Sequence, residues 1–256
     1  MKNFLVALDL HGTLLDLGWE IQPELIPDLV NAITYLSPIA NFYICTGNDF
    51  KFVTKHIPKS VLSLITGCIL ETGCILNNNC LTGENTQKKA YELKKYFQER
   101  QYSFVKYFGE RKTTITLFTC DEQGGEPPEK YLQTISQDLQ NSTFKNDFYI
   151  TYSNVAFDII PANYSKWNTL KTIKGNTSHE IICFMDSYND KEIALYSDYT
   201  ILPQNTTENL FNYLKQHQKS ISPLENFDFS QKQAYLCEDN YTLAVINGLK
   251  KILEVL

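Results

Sequence analysis

At 256 residues, 43% hydrophobic and 20% charged, the chain has room for one large or two modest domains and enough apolar side chains for a core, which excludes a disordered segment. A formal net charge of −6 with only two arginines, Arg100 and Arg111, excludes a general nucleic-acid binder and any site built on clustered guanidinium forks. Seven cysteines without a C-x-x-C pair, no apolar run of about 18 residues and an N-terminus without a signal-peptide pattern give the expectation of a cytoplasmic protein with reduced cysteines, no membrane partner, and a monomeric or small homo-oligomeric state.

In chain order, NFLVAL (3–8) reads as a buried strand and IPDLVNAITYLS (26–37) as a helix with Leu29, Ile33 and Leu36 on one face. ANFYICTG (40–47) is a second strand, DFKFVTKHI (49–57) a short helix stopped before Pro58, and GCILETGCIL (67–76) a strand running into a turn at Thr72-Gly73. The pattern changes near Gly83. NTQKKAYELKKYFQER (85–100) is an amphipathic helix anchored by Tyr91, Leu93 and Phe97, followed by a strand pair at YSFVKYF (102–108) and KTTITLFTC (112–120). Arg111 and Lys112 then stand at the start of a strand. A helix at EKYLQTISQDLQ (129–140) and a second strand pair, DFYITYS (147–153) and VAFDIIP (155–161), complete an α+β unit. Strand–helix alternation resumes with SKWNTLKTI, EIICFMD, NDKEIALYS, YTILP and TENLFNYLKQ, and a helix at YTLAVINGLKKILEVL (241–256) closes the chain. The expectation is an α/β fold: a doubly wound parallel sheet from residues 1–82 and 161–256, with an α+β cap inserted at 83–160.

Three of the buried strands end in a polar residue: FLVALD in Asp9, NFYICT in Thr46, EIICFMD in Asp186. In an open parallel sheet, ligands bind beyond the carboxyl ends of the strands, so these residues converge on one crevice. Lys166 stands in the first turn of a helix behind Ser165, an N-cap residue type. A lysine there opposes the helix dipole, which makes sense if an anion sits before it.

DLHGTLLD (9–16) resembles the first motif of the haloacid dehalogenase-like hydrolases, ICTGND (44–49) the second, Lys166 the third and MDSYND (185–190) the fourth; LETG (70–73) is similar to the Glu-Asn-Gly of the branch with a large α/β cap. The resemblance implies an Mg²⁺-dependent phosphomonoesterase acting on a small phosphorylated metabolite, a sugar phosphate or phosphoglycolate, through an aspartyl phosphate on Asp9. It implies Mg²⁺ ligands from Asp9, the His11 carbonyl and Asp186, with Asp190 as a further ligand or a support. It places Thr46, Gly47, Lys166 and Asn189 on the substrate, and His11 as general acid and base where the family has aspartate. Gly12 permits the turn after Asp9, and Thr13 ties the loop. His11, Met185 in place of glycine and Trp167 in place of a small residue keep two alternatives open: a catalytically impaired relative that binds a phosphorylated ligand, and a phosphotransferase or mutase on the same scaffold.

Overall fold

In the computed structural model, which describes residues 4–121 and 123–256, β1 (Phe4–Leu8) is buried on both faces and lies at the centre of a nine-stranded sheet. From it the chain runs through α1 (Ile26–Leu36), β2 (Ala40–Cys45), α2 (Phe50–His56), α3 (Lys59–Leu62), β3 (Gly67–Leu70), β4 (Ile75–Leu76) and β5 (Asn79–Cys80). Next come α4 (Glu84–Glu99), β6 (Tyr107–Phe108), β7 (Ile115–Phe118), β8 (Cys120–Asp121), β9 (Gly124–Gly125), α5 (Leu132–Asn141), β10 (Phe148–Tyr152) and β11 (Ala156–Pro161). The last third is α6 (Lys166–Lys174), β12 (Glu180–Phe184), α7 (Lys191–Tyr196), β13 (Tyr199–Leu202), α8 (Glu208–Gln216), β14 (Ile221–Pro223), β15 (Ala234–Leu236) and α9 (Tyr241–Glu254).

The large sheet has the order β14-β15-β13-β12-β1-β2-β3-β4-β5. All its pairings are parallel except those of β4 and β5, which fold back antiparallel at one edge. Alternation along the central strands sends their side chains into two cores. Phe4, Val6 and Leu8 of β1 join Ile182 and Phe184 of β12 under α1 and α9, where Leu29, Ile33, Leu36, Ile246 and Leu249 are buried. Leu5, Ala7, Ile181 and Cys183 face the other way, against Leu170 of α6, Ile193 of α7, and Leu210 and Leu214 of α8. The sheet is therefore doubly wound. The chain moves outward from β1 through β2 and β3, then returns to the opposite side of β1 as β12, and that reversal makes β1 the switch point.

The segment between β5 and α6 builds a separate four-stranded antiparallel sheet, β10-β11-β7-β6. One face, with Ile115, Leu117, Phe157 and Ile159, packs on Leu93 and Phe97 of α4 and Ile135 and Leu139 of α5. The opposite face carries Thr116, Phe118, Ala156 and Asp158 towards the large sheet, where they line a cavity.

Some expectations are corrected. Tyr91 is no anchor of α4: it is 60% exposed, and Ala90 takes the buried position beside Leu93 and Phe97. Of the strand expected at 102–108 only Tyr107 and Phe108 pair; Tyr102, Phe104 and Val105 all turn onto the helix cluster, and Val105 N–H closes a turn on the Tyr102 carbonyl (3.2 Å). The strand expected from Lys112 begins at Ile115, because the backbone at 112–113 bonds instead to a buried carboxylate, that of Glu71. The short strands β14 and β15 were not expected. All seven cysteines are unpaired, and no helix among the described residues is long and apolar enough to cross a membrane.

Gly248 marks how closely α9 seats on the sheet: a Cβ there would lie 2.5 Å from a Phe184 ring carbon and 3.1 Å from an Ile201 methyl. Gly248→Ala should destabilise the chain by about 1–3 kcal/mol through overpacking, in spite of the better helix propensity of alanine. A lowered urea midpoint checks this; an unchanged or raised one contradicts it.

Candidate active site

Asp9 prolongs β1 by one residue, its N–H bonding the Phe184 carbonyl at 3.1 Å, and then the chain must turn sharply. Leu14 N–H returns to the Asp9 carbonyl (3.3 Å) and Leu15 N–H to that of Leu10 (2.7 Å). Gly12 sits at φ +90°, and a Cβ on it would fall 2.2 Å from Asp186 Oδ2. Only glycine allows both the backbone conformation and the approach of that carboxylate. Thr13 ties the loop by donating to Asp186 Oδ1 (3.0 Å), and Asn205 donates to the Gly12 carbonyl (2.7 Å).

From α6, with Ser165 as N-cap accepting from Asn168 N–H (3.1 Å), Lys166 reaches back beneath the sheet end. Its ammonium donates to Asp9 Oδ1 at 2.6 Å and to Asp190 Oδ1 at 2.5 Å, and the side chain is 2% exposed. Asp186 leaves the end of β12, and Asp190 closes the short 3₁₀ turn after it, its N–H on the Ser187 carbonyl (3.0 Å). Oxygens of Asp9, Asp186 and Asp190 lie within 4.8 Å of one another.

Three buried carboxylates thus face one ammonium. Burial pushes the Asp9 carboxyl up, with Lys166 opposing. Burial and the charges of Asp9 and Asp190 push Asp186 well up. Burial takes Asp190 from its ordinary 3.8 to about 7, again against Lys166. Burial alone would lower the Lys166 ammonium; Asp190 and Asp9 outweigh it and hold it protonated. The donor set is all oxygen, acidic in excess, and Asp190 Oδ2 is buried without a hydrogen-bond partner. These features fit a hard divalent cation such as Mg²⁺.

A cavity of about 470 Å³ opens from this cluster between the two sheets. Asp9, His11, Thr46, Gly47 and Asn189 line it; Lys166, Asp186 and Asp190 do not. The Thr46 N–H is already engaged with the Ile69 carbonyl (2.9 Å), so it is not the amide for an anion. Its hydroxyl accepts from Asn48 N–H (3.2 Å) and Nδ2 (3.3 Å), which leaves the hydroxyl proton to give. The Gly47 N–H donates to no group among the described residues. Asn189 Oδ1 accepts from Ser187 (2.7 Å). Burial lowers the His11 imidazole, and the charge that opposes this is Asp16, not the acidic cluster. Met185 and Trp167 do not line this cavity; Met185 is buried in the core, and Trp167, half-buried on α6, packs against that core.

Sequence reading left Asp158 unnamed, set Arg111 and Lys112 at the start of a strand, and gave Glu71 no role beyond its motif. Asp158, 5% exposed, enters the cavity from β11 with Oδ1 accepting from Thr116 (2.7 Å); a lone carboxylate inside VAFDIIP was its signal. Arg111 stands on a loop, donating to the Gly47 carbonyl (3.0 Å) and Asn48 Oδ1 (2.7 Å). Glu71, 1% exposed, accepts from Lys112 N–H (2.9 Å), Thr113 N–H (2.8 Å) and the Thr113 hydroxyl (2.6 Å). Lys112 itself points its charge to solvent.

No family model and no curated protein sequence matches the chain. Among solved structures it is similar to the sucrose-phosphatase of Synechocystis sp. PCC6803 in complex with sucrose and phosphate (TM-score 0.68, 12% identity, 98% of each chain covered). It is similar also to the C-terminal domain of C. albicans trehalose-6-phosphate phosphatase (TM-score 0.63, 14% identity, 100% of this chain and 93% of that one). A haloacid dehalogenase-like hydrolase from B. subtilis matches with a TM-score of 0.66 at 14% identity, over 98% of this chain and 99% of that one. The chain has the fold of the haloacid dehalogenase-like hydrolases.

The raised Asp190 carboxyl has a consequence for stability. Unfolded, it ionises near 3.8; folded, near 7. The folded state therefore holds the proton more tightly, and the group's contribution is full below about pH 3.8 and lost as pH rises through about 7. In a chelator, chemical denaturation between those limits should show wild-type stability falling more steeply with pH than that of Asp190→Asn. Parallel profiles would show that Asp190 does not titrate there.

Proposed function

We propose that the chain is an Mg²⁺-dependent phosphomonoesterase of the haloacid dehalogenase type, acting on a small phosphorylated metabolite of the sugar-phosphate class. The observation that carries the reading is Asp9: a carboxylate at the end of the central strand, open to the cavity, gripped through one oxygen by Lys166 and grouped with Asp186 and Asp190. The solved structures of the same fold include one in complex with sucrose and phosphate, which is support for the substrate class.

In this reading an Asp9 carboxylate oxygen attacks phosphorus, the ester oxygen departs with its electron pair, and the protein carries an aspartyl phosphate. Lys166 orients the nucleophile and keeps it ionised among the other carboxylates. The Gly47 N–H and the Thr46 hydroxyl donate to phosphoryl oxygens. His11, at the cavity wall two residues on from the nucleophile, gives a proton to the departing oxygen. It then takes one from the water that attacks the aspartyl phosphate, and this releases phosphate and restores Asp9. Asp9, Asp186, Asp190 and the His11 carbonyl would hold the cation, which supplies charge neutralisation at the phosphoryl oxygens when bound. The inserted segment acts as the cap, excluding water and selecting the alcohol.

Asp9→Asn should abolish phosphate release from p-nitrophenyl phosphate while leaving the circular dichroism spectrum unchanged. Asp186→Ala should lose Mg²⁺ binding measured by calorimetry. Wild-type turnover in either variant, or full wild-type turnover in excess chelator, overturns the reading.

A second measurement addresses His11. General acid–base groups contribute about 10²–10⁴-fold, and an alkoxide needs the proton more than a nitrophenolate does. His11→Ala should therefore slow an alkyl phosphate by that order and p-nitrophenyl phosphate by much less, and His11→Asp should retain activity. Equal losses on both esters would assign His11 to loop structure alone.

A further inference from the structure

The cavity beyond Asp9 is walled by aromatic rings from both sides. From the large-sheet side come Trp19 and Phe52; from the cap sheet come Phe108 and Phe118. Each side is braced. The Trp19 indole meets Phe52 edge-on (5.6 Å between centroids) and His56 edge-on (5.8 Å), while Phe118 is stacked with Tyr107 at 4.4 Å. Trp19 has a left-handed backbone, φ +64°, a conformation unfavourable for a bulky residue. Its carbonyl accepts from His56 Nδ1 (3.1 Å), and Asp16 Oδ1 secures its neighbours Gly18 N–H (2.8 Å) and Glu20 N–H (3.1 Å). The fold spends several hydrogen bonds to present an indole at this wall, where strain of this kind points to a function.

Some of the polar groups between the walls are engaged with one another, and Lys51, Lys55 and Glu110 line the cavity as well. Arg111 holds Asn48 Oδ1 and the Gly47 carbonyl, Asn48 Nδ2 serves Thr46, and Thr116 serves Asp158 Oδ1. The second Asp158 oxygen accepts from no group among the described residues, so one acceptor remains for a ring donor. A volume of about 470 Å³ is also more than a phosphorylated two-carbon acid fills, and sits within the range of about 300–1,000 Å³ typical of small-molecule sites.

We propose that the outer half of this cavity is a slot for a flat heteroaromatic ring carried by the alcohol portion of the phosphate ester, with Trp19 and Phe52 on one face and Phe108 and Phe118 on the other. The substrate is then a sugar phosphate of the nucleoside monophosphate kind, a phosphorylated sugar bearing a planar base. Aromatic walls on two sides suit a ring with two π faces, which stacks on or packs edge-to-face against either. This inference rests on the phosphomonoesterase reading for the position of the phosphate, but not for the slot itself.

Calorimetry on the Asp9→Asn chain with Mg²⁺ tests it, comparing adenosine 5′-monophosphate with ribose 5-phosphate, which differ only by the base. Stacking of a base on an aromatic side chain corresponds to about 5- to 150-fold in affinity. The nucleotide should bind at least about tenfold more tightly. Trp19→Ala and Phe118→Ala should each remove most of that preference, and Trp19→Phe should keep it. Equal affinity for the two ligands, binding of neither, or a Trp19→Ala variant that weakens both alike overturns the slot. Wild-type turnover separates the two readings. If neither ester is hydrolysed while the base preference and its loss in the variants persist, the slot stands and the hydrolase reading falls. If both are hydrolysed with equal kcat/KM, the slot falls and the hydrolase reading stands.

Discussion

The structure depends on one buried ammonium. Asp9, Asp186 and Asp190 crowd together in a place from which water is largely excluded, and their charges repel one another. Lys166 touches two of the three and is itself out of solvent. A buried charge pair of this kind is weak evidence of net stability, because desolvation offsets the attraction. Its value is in holding a carboxylate ionised and aimed at a cavity. The surrounding peculiarities follow from it. Gly12 must lack a side chain because Asp186 occupies the space, Thr13 must donate to that same carboxylate, and Ser165 must start α6 where Lys166 can reach under the strand ends.

The second sheet is joined to this centre through a small circuit around residues 46–48, 71–73 and 111–113. Glu71 N–H bonds the Asn48 carbonyl (3.1 Å) and Thr72 N–H that of Thr46 (3.0 Å), so the turn supports the loop that carries the Thr46 hydroxyl and the Gly47 amide. The Glu71 carboxylate meanwhile receives the backbone at 112–113, and Arg111 returns to Gly47 and Asn48. Glu71, Thr72 and Gly73 all have positive φ, which is costly for the first two and ties the turn to this arrangement. On the other flank Tyr152 of β10 stacks on Tyr188 (4.8 Å), next to the turn that positions Asp190. The two sheets therefore meet at the loops that hold the proposed phosphate and cation.

Much of the fold was legible because burial leaves period-specific marks. Apolar runs such as FLVAL and IICF are continuous, as strands covered on both faces must be. Leu29, Ile33 and Leu36 repeat at helical spacing because α1 covers one face. The failures have equally local causes. Tyr91 carries the apolar signal of an aromatic but lies one residue off the buried stripe. The run 102–106 is aromatic enough for a strand, yet Phe104 and Val105, adjacent in the chain, both pack on the helix cluster, which alternation forbids. The edge strand β14 and its neighbour β15 are three residues each, too short for a period to register.

For the site, the division is between residues that act at the end of a strand and residues that act across space. Asp9, Thr46 and Asp186 could be read from the sequence because a polar group closing a buried apolar run is unusual wherever it occurs, and the topology of parallel sheets then brings such ends together. Lys166 was legible from its place in a helix's first turn. The pairing of Lys166 with Asp9 and Asp190 spans 157 and 24 residues, and no spacing rule reaches that far. The same holds for Arg111 on Gly47, 64 residues away, for Glu71 on Thr113, 42 away, and for Trp19 and Phe118 on opposite walls of one cavity. The sequence by itself determined which strands are buried, where they end and what chemistry stands there. Only the tertiary structure decided which charges neutralise each other and what shape the cavity offers, because those depend on contacts between segments that the chain brings together only when both sheets are folded.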